Sequence, residues 1–168
     1  VTGETVQVKL LSRTSSARLA ENLAPVDSLR MNQRQARPYA PGRVLVCGVA
    51  YPTKTYGVLT VSWAHRNRLL QADQLVDSSA SSISLEAGTT YTLSIYSGTS
   101  LKKSYTGLTG TTWTYPVEDD IAHGLLPVLH IVLFSVRDGL QSWQQHDITI
   151  ERHGLGFRLG EELGGVAQ

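Results

Sequence analysis

Cysteine occurs once in these 168 residues, at Cys47, so no internal disulfide can staple the fold. Stability must come from apolar burial, and an apolar content of 41% supports one ordinary domain plus extensions. Cys47 itself lies in the alternating run Val44-Leu-Val-Cys-Gly-Val49 and reads as a small buried hydrophobe. The formal charges almost cancel, at +1, which argues against a nucleic-acid partner. No run reaches the ~20 apolar residues of a membrane-spanning helix, and no signal peptide is visible. The chain opens on Val1 rather than Met, and its first residues already alternate. It is therefore expected to be a fragment of a longer polypeptide, or a processed one.

Catalytic signatures are equally scarce. The five histidines, at 65, 123, 130, 146 and 153, form neither an i,i+4 pair nor a His-Glu-x-x-His run, so no zinc site is announced. Gly154-Leu-Gly-Phe-Arg-Leu-Gly160 imitates a dinucleotide loop, but its last gap is one residue too long and no helix follows to cradle a phosphate. Ser100-Leu-Lys-Lys103 fits a Ser-x-x-Lys pattern on a strand, where a helix start is needed. Glu118-Asp119-Asp120 is too short a donor series for calcium and reads as a solvated loop. No catalytic residue, metal ligand or cofactor is assigned, and the chain is read as a non-enzyme.

What is present is a succession of short alternating segments broken by Gly and Pro. Asp138-Gly139 between an apolar run and its return is a strong hairpin signal, because the turn needs positive φ. Strands are predicted over 43–49, 58–65, 89–96, 101–106, 111–115, 128–136 and 142–152. Leu59, Val61 and Trp63 share one face, as do Tyr91, Leu93 and Ile95. Seven such strands predict an all-β antiparallel β-sandwich over 41–152, with Trp63, Leu93, Ile131 and Ile148 in its core. Residues 1–40 read as a strand and linker arm. Val6, Val8 and Leu10 form a strand with no partner nearby, expected to complete an upstream sheet or pair with another subunit. A short helix is allowed around 16–22. Residues 153–168 read as a Gly-rich tail.

Four groups are candidates for contact. His65-Arg-Asn-Arg68 is expected to pair with Asp73 or Asp77 in the same long segment, 66–87, which Leu69, Leu70, Leu75 and Val76 would anchor. Arg34, Arg37 and Tyr39 suit docking at an interface, since guanidinium groups bind carboxylates and carbonyls in pairs. With Leu129, Ile131 and Leu133 facing the core, Val132, Phe134 and Val136 would face outward, where the N-terminal arm or a neighbouring subunit must cover them. Trp113, Tyr115 and Trp143, near strand ends, are candidate glycan contacts.

Several strings also resemble a known family. Met31-Asn-Gln-Arg-Gln-Ala-Arg-Pro-Tyr-Ala-Pro-Gly42, Val61-Ser-Trp-Ala-His-Arg-Asn-Arg-Leu-Leu-Gln-Ala-Asp73, Tyr91-Thr-Leu-Ser-Ile-Tyr96, Leu108-Thr-Gly-Thr-Thr-Trp-Thr-Tyr115 and Val136-Arg-Asp-Gly-Leu-Gln-Ser-Trp143 follow in order. Together they resemble the fibronectin type III-like region of the central tail-tip, or baseplate hub, protein of long-tailed bacteriophages, the lambda protein J type. The likeness spans about residues 33–160. It implies a virion component at the tail tip, trimeric, in contact with other tail-tip or baseplate proteins and with a host-surface receptor or glycan. It implies no catalytic residue. Leu129 departs from the fibronectin type III pattern by standing where a corner tyrosine is expected. The rival expectation is a carbohydrate-binding or spacer module of a secreted bacterial enzyme.

Overall fold

The computed structural model describes residues 4–30, 33, 35–72 and 83–153. The chain divides into two units between Ala36 and Arg37.

The first unit is a two-stranded ribbon. Strand β1 (Thr5–Val8) pairs antiparallel with β2 (Asp27–Arg30), placing Val6 opposite Leu29. This corrects the expectation that the first strand finds no partner within the chain. Asp-Ser-Leu-Arg offers one apolar residue, so it carries no alternation to read, and the pairing runs through backbone groups that every sequence has. A tight turn at Thr14 to Ala17 lies between the two strands, with the Thr14 amide donating to the Ala17 carbonyl at 2.8 Å. No helix forms over 16–22.

Among its described residues the second unit is all-β apart from one short helix. Its strands are β3 (Gly42–Val46), β4 (Lys54–Tyr56), β5 (Thr60–Ala64), β6 (Thr89–Ser97), β7 (Ser100–Leu108), β8 (Thr112–Thr114), β9 (Val128–Arg137), β10 (Leu140–Gln141) and β11 (His146–His153). One sheet has the order β3-β5-β8; the other has the order β4-β11-β9-β6-β7, with β10 also on β9. Every pairing is antiparallel except β4 with β11. The loop expected over 116–127 contains helix α1 (Val117–Ala122), which follows Pro116. Proline suits such an entry, having no amide hydrogen to leave unpaired.

Both sheets contribute to one core. Val44, Val46, Val61, Trp63 and Trp113 come from the first, with Leu59 just before β5; Tyr91, Leu93, Ile95, Leu129, Ile131, Leu133, Ile148 and Ile150 come from the second. Register explains the packing: Ile131 stands directly opposite Ile95 on one side and Ile148 on the other, and Leu133 opposite Leu93. The turn after β9 is set by Asp138 and Gly139, with φ of 50° and 74°. Two consecutive positive φ values match the right-handed twist of the flanking strands, as the Asp-Gly pair predicts.

One reading of side-chain position is overturned. Cys47 is exposed, because β3 ends at Val46 and Cys47 enters a turn at φ 49°; its sulfur accepts from Thr55 Oγ1 at 2.9 Å. Val132 is buried within the chain itself, at 7% exposure, while Phe134 and Val136 are half-buried, so the outward side of β9 is not an open apolar face.

Ile131 is fully buried between two opposed isoleucines. Ile131→Ala should lower unfolding free energy by about 2–5 kcal/mol, measured by urea denaturation. A change inside the noise would mean that the β6-β9-β11 register is wrong.

Candidate functional site

Most charged and ring-nitrogen groups of the second unit hold the sandwich's edges and loops together. Asp120, on α1, meets Arg152 of β11 in a two-pronged ion pair, with Nη1 to Oδ1 at 2.6 Å and Nη2 to Oδ2 at 2.5 Å. Arg152 also lies over the Tyr115 ring, 5.6 Å from its centroid. Burial, followed by the Asp120 charge, pushes the Tyr115 hydroxyl up to about 12. Asp119 accepts from Lys103 Nζ at 2.7 Å and from Tyr105 Oη at 2.6 Å. The Lys103 hydrogen bond, then that of Tyr105, holds the Asp119 carboxyl below its ordinary value of 3.8. The acidic run is therefore a brace between α1, β7 and β11, not a solvated loop.

The basic cluster, too, has a structural partner among the described residues. Arg68 Nε donates to the buried Glu86 at 2.7 Å, and Arg137 reaches the same carboxylate at 3.0 Å. Asn67 Oδ1 accepts from the amides of Leu69 and Leu70, a local turn that leaves both leucines exposed rather than anchored. Asp73, Asp77, Leu75 and Val76 lie outside the described residues, as do Arg34 and residues 154–168. Among the described residues no three His, Cys, Asp or Glu side chains gather to hold a metal ion.

The candidate glycan contacts separate. Trp113 and Tyr115 are buried and belong to the core, because β8 turns their rings toward the opposite sheet. Trp143 is exposed, with the Arg37 guanidinium 5.8 Å from its ring centroid. Arg37 also donates to the Gln141 carbonyl at 2.7 Å, an internal tie.

The structure instead presents a cleft of about 510 Å³ lined by Tyr39, Ala40, Pro41, Tyr51, Arg66, Gln144, Gln145 and His146. Its floor is a hydrogen-bonded chain. His146 Nε2 lies 2.6 Å from the Pro41 carbonyl, so it carries the proton and donates. Nδ1 of the neutral ring then accepts from Tyr51 Oη at 2.5 Å. Burial drives the His146 pKa below 6.5, against a smaller upward pull from the Pro41 carbonyl. Local folding explains who arrives here. After the Asp138-Gly139 turn, the Ser142 amide donates to the Ser135 carbonyl at 2.8 Å, and Ser142 Oγ accepts from the Ser135 amide at 3.2 Å. The chain then leaves the ladder between β10 and β11, which exposes Gln144 and Gln145. Of these residues sequence reasoning singles out Tyr39 and, within its basic cluster, Arg66. Tyr51-Pro52 reads as turn punctuation, and nothing in a linear pattern joins it to residues nearly a hundred positions away.

No family model matches the chain, and no curated protein matches its sequence.

Two outcomes follow from these bonds. Asp120→Asn should cost about 3–5 kcal/mol, because it leaves the Arg152 charge buried without its counter-ion, whereas Asp119→Asn at the more open bridge should cost visibly less. Equal losses in denaturant titrations would contradict the assigned burial.

The second concerns acid. His65, bonded to Tyr91 Oη at 2.8 Å, is also held below 6.5 by burial. The unfolded chain thus takes up these protons first as pH falls. Stability from this source is complete above 6.5 and declines below it, down to the folded-state values; the Asp119 contribution is lost only lower, below 3.8. Melting temperature should fall between about pH 7 and pH 5, and His65→Gln with His146→Gln should flatten that slope. An unchanged slope in the double variant would assign the acid sensitivity elsewhere.

Proposed function

We propose that this chain is a non-catalytic structural and binding segment of a phage tail-tip hub, carrying a fibronectin type III-like sandwich and acting in tail assembly and host attachment. The observation that carries the reading is the strand order. Lettered along the chain with β4 as a side branch of A, the sheets run A-B-E and G-F-C-C′, an order that supports the fibronectin type III-like reading. The ordered likeness of its strings to the hub family adds to this. Fold alone leaves function open, and the family likeness is what favours a hub segment over a spacer module.

The proposed assembly is a trimer, made through the first unit. Its ribbon exposes Val6, Leu10, Leu23, Val26 and Leu29 within about 25 residues, a density of bare apolar side chains that favours association. The outward side of β9 contributes less, since Val132 is already covered.

Antibodies to the chain should label the tip of tailed particles released by bacteria carrying its gene; particles without label would overturn the hub reading. In solution, light scattering should give a trimer mass, and Val26→Asp with Leu29→Asp should reduce it to the protomer mass. Phe134→Asp, at a half-buried site, should instead lower the melting temperature. A chain that is monomeric at every concentration rejects the trimer.

A further inference from the structure

We propose that the cleft at Tyr39, Tyr51, Gln144, Gln145 and His146 is a saccharide-binding site, with a pyranose ring stacked on Tyr51 and its hydroxyls held by the two glutamine amides. The proposal stands on the cleft alone and goes beyond the hub reading.

The first ground is Tyr51. Its ring is 55% exposed, yet it is fixed: the hydroxyl is bonded to His146, which is bonded in turn to the Pro41 carbonyl. Its backbone sits at φ 45°, a region bulky side chains seldom adopt. Positive φ also marks the turns at Cys47 and Asp138; at Tyr51 it sets where the bonded ring is presented. A ring immobilised before binding loses little entropy when a ligand arrives.

The second ground is the chemistry of the lining. The Tyr51 ring offers an apolar face to the C–H side of a sugar and ends in a polar group. Gln144 and Gln145 are exposed carboxamides, each carrying both donors and an acceptor, which suits neighbouring hydroxyls. Gln145 is oriented by Gln141, whose Nε2 donates to its Oε1 at 3.0 Å. Arg66 packs on Tyr39, 5.7 Å from the ring centroid, and turns that wall polar. The only aliphatic lining among the described residues is Ala40 and Pro41, so a greasy ligand has little to bury against. One guanidinium and no carboxylate line the cleft, which admits neutral and acidic sugars and falls short of a polyphosphate cradle. The volume lies within the range of about 300–1,000 Å³ usual for small-molecule clefts.

The test is a titration of the full chain with maltotriose, chitotriose and trigalacturonate, followed by amide NMR. At least one trimer should give saturable shifts at millimolar concentration, centred on Ala40, Tyr51 and residues 144–146. Gln145→Ala, an exposed change that leaves the fold intact, should weaken binding by about tenfold, or roughly 1.4 kcal/mol. Tyr51→Ala should abolish it. Tyr56→Ala, at an exposed tyrosine outside the cleft, should leave it unchanged. Absence of saturable shifts with all three trimers, shifts centred elsewhere, or wild-type binding by Gln145→Ala would each overturn the assignment.

Discussion

The register of β9 is the constraint on which the second unit depends. This strand pairs with β6 on one side and β11 on the other, and a slip of one residue would turn Leu129, Ile131 and Leu133 out of the core. Three devices hold it. The opposed isoleucines and leucines across the sheet favour one alignment. The Asp138-Gly139 turn allows one short connection. The Ser135–Ser142 clamp then fastens the strand that returns. Everything that β11 carries, from His146 to Arg152, takes its position from that alignment.

Polar contacts then fasten the periphery to this frame. Asp120 and Arg152 pin α1 to β11, Asp119 ties the same helix to β7, and Glu86 collects Arg68 and Arg137. Several of these groups would look chemically capable in isolation. In place, each is neutralised by a structural partner, and the histidines at 65, 123 and 146 are each bonded to a tyrosine hydroxyl. The cleft differs in that its polar chain ends on an exposed ring instead of a covered one. The same bonding pattern thus serves stability at Tyr91 and Tyr115 and presentation at Tyr51.

The first unit follows another logic. A two-stranded ribbon has little interior, and of its apolar side chains in the described residues only Ala24 is buried. Such ribbons are marginal alone. An assembly that covers Val26 and Leu29 would supply the burial the ribbon lacks, which is the physical basis for assigning association to this unit.

Much of the sandwich was legible in the sequence because its signals are local. Alternation places Leu59, Val61, Trp63, Tyr91, Leu93 and Ile95 on core faces, and Asp-Gly announces its hairpin through the conformation it requires. What could not be read depends on partners distant in the chain. Strand β2 was missed because backbone pairing leaves no pattern in Asp-Ser-Leu-Arg. Strand β4 was missed because three residues are too few to alternate. Trp113 and Tyr115 read as core rings or as glycan contacts by pattern, since strand ends alone do not say which sheet lies opposite. Cys47 was placed in the core by extending an alternation one residue past the turn that ends it. The cleft was illegible as a unit: Tyr39, Tyr51 and His146 belong to separate segments, and only the pairing of β11 beside β9 brings them together. The sequence by itself determined which faces seek burial and where the chain turns; the tertiary structure alone decided which polar groups meet, because a hydrogen bond between distant residues has no local signature.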